Sequence, residues 1–279
     1  MPISHAERCR VFRELHQSGC FVIPNPWDLG SARLLERLGF RALATTSAGF
    51  AWSRGVPDHG ITVADKLDHL REICGGVDVP VNADFEGGFA IEPEQVAANV
   101  QAAVTTGVAG LSIEDSSHDP SHPLFDFPLS VDRIRAARRA IDASGTKVVL
   151  TGRSEGFIAG RPDLGETIER LTAYGEAGAD CLYAPGLRAL SDIKAVVSAV
   201  APTPVNVLVA SDFTTVREMA DAGVRRISVG GALARLALAT VLGAAREIID
   251  RGTFTELSRA GTHAEINGLF VGTQGAARG

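Results

Sequence analysis

The chain has 279 residues, 45% hydrophobic and 22% charged, with a formal net charge of −6. That balance excludes a disordered polymer, and the lack of any Lys/Arg block argues against nucleic acid as a partner. Cys9, Cys20, Cys74 and Cys181 are scattered with no Cys-x-x-Cys spacing, so neither a disulfide framework nor a zinc site is indicated.

The first residues carry charges throughout and no apolar core, and no uncharged apolar run reaches membrane-spanning length. A cytoplasmic setting without a membrane partner is expected. Residues 4–18 place Val11, Phe12 and Leu15 at helical spacing, and Gly19 ends them. FVIPN (21–25) reads as a strand, and Asp28 can cap the next helix, which stops at Gly39. RALATTSAG (41–49) reads as a strand running into a small-residue loop. A helix over 62–74 opens with Thr62 and Asp65 in capping-box spacing. VPVNADFE (79–86) is a strand, followed by a helix at 93–106 with Pro93 in its first turn. The alternation continues with GLSIED (110–115), a helix at 130–143, KVVLTGRSE (147–155), a helix at 163–177 and DCLYAP (180–185). It closes with a helix at 189–199, VNVLVA (205–210), a helix at 214–222, RISVGG (226–231) and an alanine-rich helix at 232–250.

Strand-like runs that are almost wholly apolar suit a parallel sheet covered by helices. Eight such units predict an α/β fold, a (β/α)8 TIM-type barrel over residues 1–250 with the N-terminal helix included. An open doubly wound sheet is the alternative, weakened by the absence of a Gly-x-Gly-x-x-Gly turn. Residues 251–279 form a C-terminal extension with Phe254, Leu257, Leu269 and Phe270 free to pack on the barrel or on a neighbouring subunit. Two stretches, 48–60 and 116–128, are longer than a minimal barrel needs and read as loops able to act as lids.

Polar residues collect at the strand ends, where a barrel builds its active site: Asn25 and Asp28; Thr45, Thr46 and Ser47; Asp84 and Glu86; Glu114 and Asp115; Arg153 and Glu155; Asn206. Asp84 and Glu86 stand two apart, so on a strand both would face one pocket. With Glu114 on the next strand and Asp58 from the preceding loop, they form a carboxylate cluster suited to a hard divalent cation, Mg²⁺ first and Mn²⁺ as a substitute. Arg153 reads as a clamp for a substrate carboxylate, or as a counter-ion to Glu155 or Glu86. Thr46, Ser47, Ala48 and Gly49 could bind an oxyanion, or merely turn the chain. His118 and His122 are proton carriers in a lid, or solvated loop histidines.

These segments resemble the isocitrate lyase and phosphoenolpyruvate mutase superfamily. The likeness is carried by NPWDLGSARLLERLGFRALATTSAGFAWSRGVPD, VPVNADFEGG, GVAGLSIED, GRSEGF and YGEAGADCLYAPG. It implies a Mg²⁺-dependent barrel enzyme acting on a small carboxylic acid through a pyruvate-type enolate. Carried over residue by residue, it implies Asp84 as the direct metal ligand, with Asp58, Glu86 and Glu114 holding the metal's waters. It implies Thr46, Ser47 and Ala48 as the substrate carboxylate loop, and Arg153 as a substrate-binding arginine. Asn206 joins the substrate-binding set, and Asp58, His118 and Arg153 are the candidate catalytic residues. A homo-oligomer, dimer or tetramer, with C-terminal helices exchanged between subunits is also implied.

The lid departs from the family. SSHDPSHPLFD follows Glu114-Asp115 with no Lys, Cys or Asn, where the lyases carry Lys-Lys/Arg-Cys-Gly-His and the mutases Lys-x-Asn. The reaction expected is decarboxylation, hydrolysis or retro-aldol cleavage of an oxaloacetate-like or substituted-malate-like acid. A phosphonopyruvate-type P–C mutase or hydrolase is the alternative, and a non-catalytic binding barrel a third.

Overall fold

The computed structural model describes residues 3–271. In chain order come α1 (His5–Leu15), β1 (Phe21–Ile23), α2 (Leu29–Arg37), β2 (Leu43–Ala44), α3 (Ser47–Ser53), α4 (Val63–Gly76) and β3 (Val81–Asp84). Next are α5 (Pro93–Val104), β4 (Gly110–Glu114), α6 (Phe127–Ala143), β5 (Val149–Arg153), α7 (Leu164–Glu176) and β6 (Cys181–Tyr183). The chain continues through α8 (Leu190–Ala199), β7 (Val205–Leu208), α9 (Val216–Asp221), β8 (Arg226–Ser228) and α10 (Ala232–Arg251). A 3-10 turn (Thr255–Arg259) and α11 (His263–Gly268) follow; residues 272–279 of the expected extension lie outside the described residues.

All eight strands are parallel, in the order β1-β8-β7-β6-β5-β4-β3-β2. Ala44 N donates to Pro24 O at 3.0 Å and Thr46 N to Pro26 O at 3.2 Å, which joins β2 to the end of β1. The expected (β/α)8 barrel is therefore what forms, and its closure removes the exposed edges of an open sheet. Leu43, Val81, Ala83, Leu111, Ile113 and Leu150 are buried between barrel and helices. The caps foreseen at Asp28 and Thr62 both form, each as a reciprocal capping box.

α1 lies across the N-terminal end of the barrel. His5 donates to Val108 O at 2.7 Å and Arg13 pairs with Asp180 at 3.2 Å, both just ahead of strands, and Arg8 donates to Cys74 O at 2.7 Å in the last turn of α4. Above α1, Arg226 bonds Asn206 Oδ1 (2.9 Å) and Thr151 Oγ1 (3.1 Å) and meets His16 Nε2 at 3.3 Å. With that floor plugged, the cavity opens at the C-terminal strand ends.

Three segments differ from the sequence reading. The supposed loop 48–60 begins with a helix, α3, because Thr46 caps it: its Oγ1 accepts from Gly49 N at 3.3 Å. α6 starts at Phe127, earlier than expected, with Pro128 in its first turn. β3 stops at Asp84, and the chain turns left-handed at Glu86 (φ 48°) and Gly88 (φ 73°). A side chain at Gly88 would also press on Val96 Cγ1 at 3.0 Å, so glycine is required there. Arg133 of α6 fixes this turn by donating to the carbonyls of Gly87, Ala90 and Ile91.

Buried neutral histidines make the fold acid-sensitive. Burial lowers the pKa of His16 to about 3, and burial beside Lys66 does the same for His69, which stacks on Phe50 with ring centroids 3.8 Å apart. Between the ordinary value of 6.5 and about 3, only the unfolded chain takes up these protons, so stability falls as pH drops through that window. From pH 7 to 5 each histidine should cost about 2 kcal/mol. Urea unfolding at both pH values should show His16→Gln and His69→Gln each removing roughly that part of the pH dependence; an unchanged slope would refute the assignment.

α10 is the exception to a well-covered barrel. Ala234 is buried, whereas Leu236, Val241, Leu242 and Ile249 are exposed, as is Phe254 beyond it. Among the described residues no helix is long and apolar enough to cross a membrane.

Candidate active site

The cavity at the barrel mouth, about 230 Å³, is lined by side chains from most of the strand ends. Asp84, at the end of β3, is held from two sides. Its Oδ2 accepts from Ser47 N (2.9 Å) and Ser47 Oγ (2.7 Å), and its Oδ1 faces Arg153 Nη1 at 3.3 Å. Burial opposes the charge on Asp84, but Arg153, Lys66 and the Ser47 bonds outweigh it, and the carboxyl lies below its usual range. Arg153, at the end of β5, also reaches Glu114 Oε2 at 3.2 Å and bonds Glu155 through Nε. It is thus a counter-ion to Asp84, Glu114 and Glu155, not to Glu86. Its Nη2 makes none of these bonds.

Glu114 has its pKa raised well above the ordinary carboxylate value by burial, against the pull of Arg153 and reinforced by Glu155, Asp84 and Glu86. Glu155 is raised for the same reason, burial first. Tyr183 packs beneath Arg153, its ring 5.1 Å from the guanidinium carbon, and burial pushes its phenol up to about 12.

Glu86 reaches the site by a different route from the one its spacing suggested. Two-residue alternation does not apply beyond the end of β3; the left-handed turn swings the side chain toward His59, whose Nδ1 lies 3.5 Å from Glu86 Oε2. Asp58 stands on the rim, half-exposed, with its carboxylate 3.8 Å from His59 Nε2. His118 borders the cavity with Nε2 3.8 Å from Glu114 Oε1, whereas His122 points into solvent. Burial and the neighbouring His59 lower the pKa of His118; the bond to Glu86 raises that of His59.

Thr46, Ser47 and Ala48 line the wall beside Asp84. Gly49 does not: an added Cβ there would meet Thr46 Cγ2 at 2.7 Å and Trp27 Cβ at 2.9 Å, so it serves close packing. Asn206 borders the cavity low down, bound to Arg226 and donating to Ser228 Oγ at 3.0 Å. Asn25 stitches strand ends together, accepting from Val229 N and Gly230 N at 2.9 and 2.8 Å.

Asp115 faces away from the mouth. Its Oδ2 accepts from Tyr174 OH at 2.6 Å and faces Arg170 at 3.3 Å, while Oδ1 accepts from Glu155 N at 2.8 Å. Its carbonyl accepts from Phe125 N at 2.8 Å, Arg170 donates to Phe125 O at 3.2 Å, and Ser116 bridges Leu124. The stretch 116–125 is therefore a short hairpin folded back over the rim.

Two residues were missed. Lys66 is fully buried under the site, donating to Thr45 Oγ1 at 3.2 Å, which also accepts from Asp84 N at 3.1 Å. Burial lowers its pKa against the pull of Asp84, Glu86 and Asp58. The sequence held a signal for it: Lys66 shares one helical stripe with His69, Leu70, Ile73 and Cys74, all buried. His59 left no trace beyond standing next to Asp58.

Asp84, Glu86, Glu114 and Glu155 outnumber the two buried cations they face, Arg153 and Lys66, and that crowding adds to burial in raising Glu114 and Glu155. Glu86 Oε1 is buried without a hydrogen-bond partner among the described residues. An oxygen-lined pocket with that surplus fits a divalent metal ion.

Comparison with known proteins agrees with this geometry. A Burkholderia cenocepacia protein, whose structure carries the provisional description lyase/mutase, superposes with a TM-score of 0.92 at 45% identity, covering 96% of each chain. Oxaloacetate acetylhydrolase, solved with the product oxalate, superposes with a TM-score of 0.85 at 26% identity over 96% of this chain and 94% of that one. The 2-methylisocitrate lyase of Escherichia coli is 34% identical over 169 residues, 57% of this chain and 55% of the lyase. Residues 12–249 match the family described as phosphoenolpyruvate phosphomutase, and the chain belongs to that family, whose members are enzymes, mostly Mg-dependent C–C lyases or mutases.

Proposed function

We propose that the chain is a Mg²⁺-dependent lyase that breaks a C–C bond in a small 2-oxo or 2-hydroxy dicarboxylic acid of the oxaloacetate or substituted-malate type. The observation that carries this reading is the carboxylate cluster of the barrel mouth, three acids arranged around one arginine. Asp84, Glu86, Glu114 and Asp58 would hold the ion. Mg²⁺, or Mn²⁺ in its place, supplies charge that polarises the substrate's 2-oxygen and stabilises negative charge developing there.

The protein's own groups do the rest. Along the wall formed by Thr46, Ser47 and Ala48, the Thr46 hydroxyl and the Ala48 amide are the groups left for the substrate carboxylate, since Ser47 is bonded to Asp84 through both its amide and its hydroxyl, and Arg153 offers its Nη2. Tyr183 stays protonated at neutral pH and can only donate or accept a hydrogen bond. The hairpin over the rim excludes water, and His118, half-exposed beside Glu114, is placed to exchange a proton with the product. The lid offers no Lys or Cys, which suits a cleavage whose leaving fragment needs no strong base. The likeness to oxaloacetate acetylhydrolase supports an acid of that size.

The test is a panel of 2-oxo, 2-hydroxy and phosphono acids incubated with Mg²⁺, with products read by mass spectrometry. Cleavage of phosphono acids alone would overturn the C–C reading in favour of P–C chemistry, and no turnover of any would favour a binding protein. On the cleaved acid, His118→Ala should slow kcat only a few-fold. A loss of about a hundredfold or more without unfolding would make this histidine the acid–base catalyst.

The bare apolar surface of α10 supports a homo-oligomer in which a second copy covers it. Sedimentation velocity should show a dimer or tetramer; a monomer at micromolar concentration would refute it. A cytoplasmic location is proposed on the same footing as the small-acid substrate.

A further inference from the structure

We propose that Tyr183 is a hydrogen-bond donor to the bound acid, and that Arg226 is a positioning residue that fixes the direction of this donation from the floor of the barrel. This rests on the small-acid reading of the mouth and adds the group that meets the acid from beneath Arg153. Arg226 is only 3% exposed, yet each of its three partners is neutral: Asn206 Oδ1 at 2.9 Å, Thr151 Oγ1 at 3.1 Å and His16 Nε2 at 3.3 Å. A buried cation answered only by neutral groups is costly, so its place under the site calls for a reason.

An arginine donates and never accepts, so it dictates the order of the bonds around it. His16 Nδ1 lies 2.7 Å from Phe12 O and carries its proton there, which leaves Nε2 to accept from Arg226. On the other side Arg226 Nε donates to Asn206 Oδ1, and the amide therefore turns its Nδ2 to Ser228 Oγ at 3.0 Å. Ser228 also shares a hydrogen bond with the phenol of Tyr183, which works against the burial that raises the phenol's pKa. Ser228 and Tyr183 thus hold two hydroxyl protons and one bond between them, and the Asn206 amide blocks any proton from turning down the chain. One O–H is left over, and both residues border the cavity.

The phenol is the more acidic of the two hydroxyls and makes the stronger bond to an anion, so Ser228 donates to the phenol oxygen and Tyr183 turns its proton to the cavity. Its ring lies 5.1 Å from the guanidinium carbon of Arg153, the residue that offers Nη2 to the substrate carboxylate. An acid arriving at the mouth meets a donor already aimed at it, with no reorientation left to make. Asn206 then acts through Ser228 and not by touching the substrate. Tyr183, protonated at neutral pH, binds the acid and gives up no proton to it.

Asn206→Asp reverses the chain without changing its shape. A carboxylate accepts from both Arg226 and Ser228, Ser228 must then accept from Tyr183, and no proton remains for the cavity. The probe is oxalate, titrated calorimetrically into the full-length protein in excess Mg²⁺. Tyr183→Phe and Asn206→Asp should each weaken oxalate binding about tenfold or more, the scale of one lost hydrogen bond to a charged group. The double variant should lose no more than Asn206→Asp alone. Losses that multiply would mean that the new carboxylate merely repels the anion, and would overturn the positioning role. Arg226→Lys, which still only donates, should keep more affinity than Arg226→Gln, whose amide can run either way; equal losses would overturn the part given to Arg226. Wild-type affinity in Tyr183→Phe, or no oxalate binding by the wild type, would overturn the donor role. Failure of the panel of acids to be cleaved would end the lyase reading and leave these affinities unchanged.

Discussion

Alanine at Asp84 is expected to abolish high-affinity Mg²⁺ binding and to lower kcat/KM by roughly a hundred- to a thousandfold or more, the scale on which single charge-stabilising groups act. It should also weaken the fold. An exposed acid in a repelling cluster would be removed without loss, but this one accepts from both Ser47 N and Ser47 Oγ and answers the charges of Arg153 and Lys66. Leaving those donors without an acceptor costs about 1–3 kcal/mol. Because the folded-state pKa of Asp84 is depressed, its contribution is present above the unfolded value of 3.8 and disappears as pH falls through the lower folded value. The gap in stability between variant and wild type should therefore close in acid. Calorimetric titration with Mg²⁺ decides the first part, and wild-type affinity in the variant would move the ion elsewhere.

Methionine at Arg153 should have the larger effect on stability. The guanidinium bonds or faces three carboxylates, two of them only 4–6% exposed at the side chain. Removing one partner of a buried ion pair costs about 3–5 kcal/mol, because the carboxylates left behind must either stay buried unanswered or take up protons. Glu114 and Glu155 are already raised by burial; without Arg153 they rise further. The unfolded chain releases their protons near 4.5 while the folded variant keeps them, so the penalty grows as pH rises above that value. Urea unfolding at pH 5.5 and 8 should show the wider gap at pH 8. Lysine at the same position keeps one charge but loses the planar fork, and about a tenfold or greater fall in kcat/KM is expected. Wild-type kinetics in Arg153→Lys would reduce Arg153 to a counter-ion.

What could be read from the sequence was what repeats. Strands such as VVL and GLSI, buried on both faces, announce themselves by unbroken apolar runs, and the capping boxes at Asp28 and Thr62 mark helix starts through local chemistry alone. Acids and the arginine at strand ends stood out because a core strand has no use for them. The seven-residue helix α3 stayed hidden because Ser-Ala-Gly-Phe-Ala carries no periodic signal; it is held by the Thr46 cap and by Gly49 pressed against Trp27. Glu86 was found for the wrong reason. Strand alternation ends at Asp84, two residues too soon, and a turn pinned by Arg133 does the positioning instead. His59 depends on a contact with Glu86, far along the chain, which no local pattern records, whereas Lys66 showed only as a lysine on the buried stripe of α4.

The way Asp115 is bonded has a consequence for how this barrel can change. Its carbonyl holds Phe125 while its carboxylate is anchored on Tyr174 and Arg170, and Arg170 grips Phe125 as well. Both feet of the hairpin thus stand on the scaffold, and residues 117–123 span between them like an interchangeable cassette. Substitutions or length changes inside the cassette alter what hangs over the mouth without disturbing β4, α7 or the carboxylates below. A lineage built this way can trade one leaving-group chemistry for another by rewriting seven or so residues, and a protein engineer can graft new covers at the same two points.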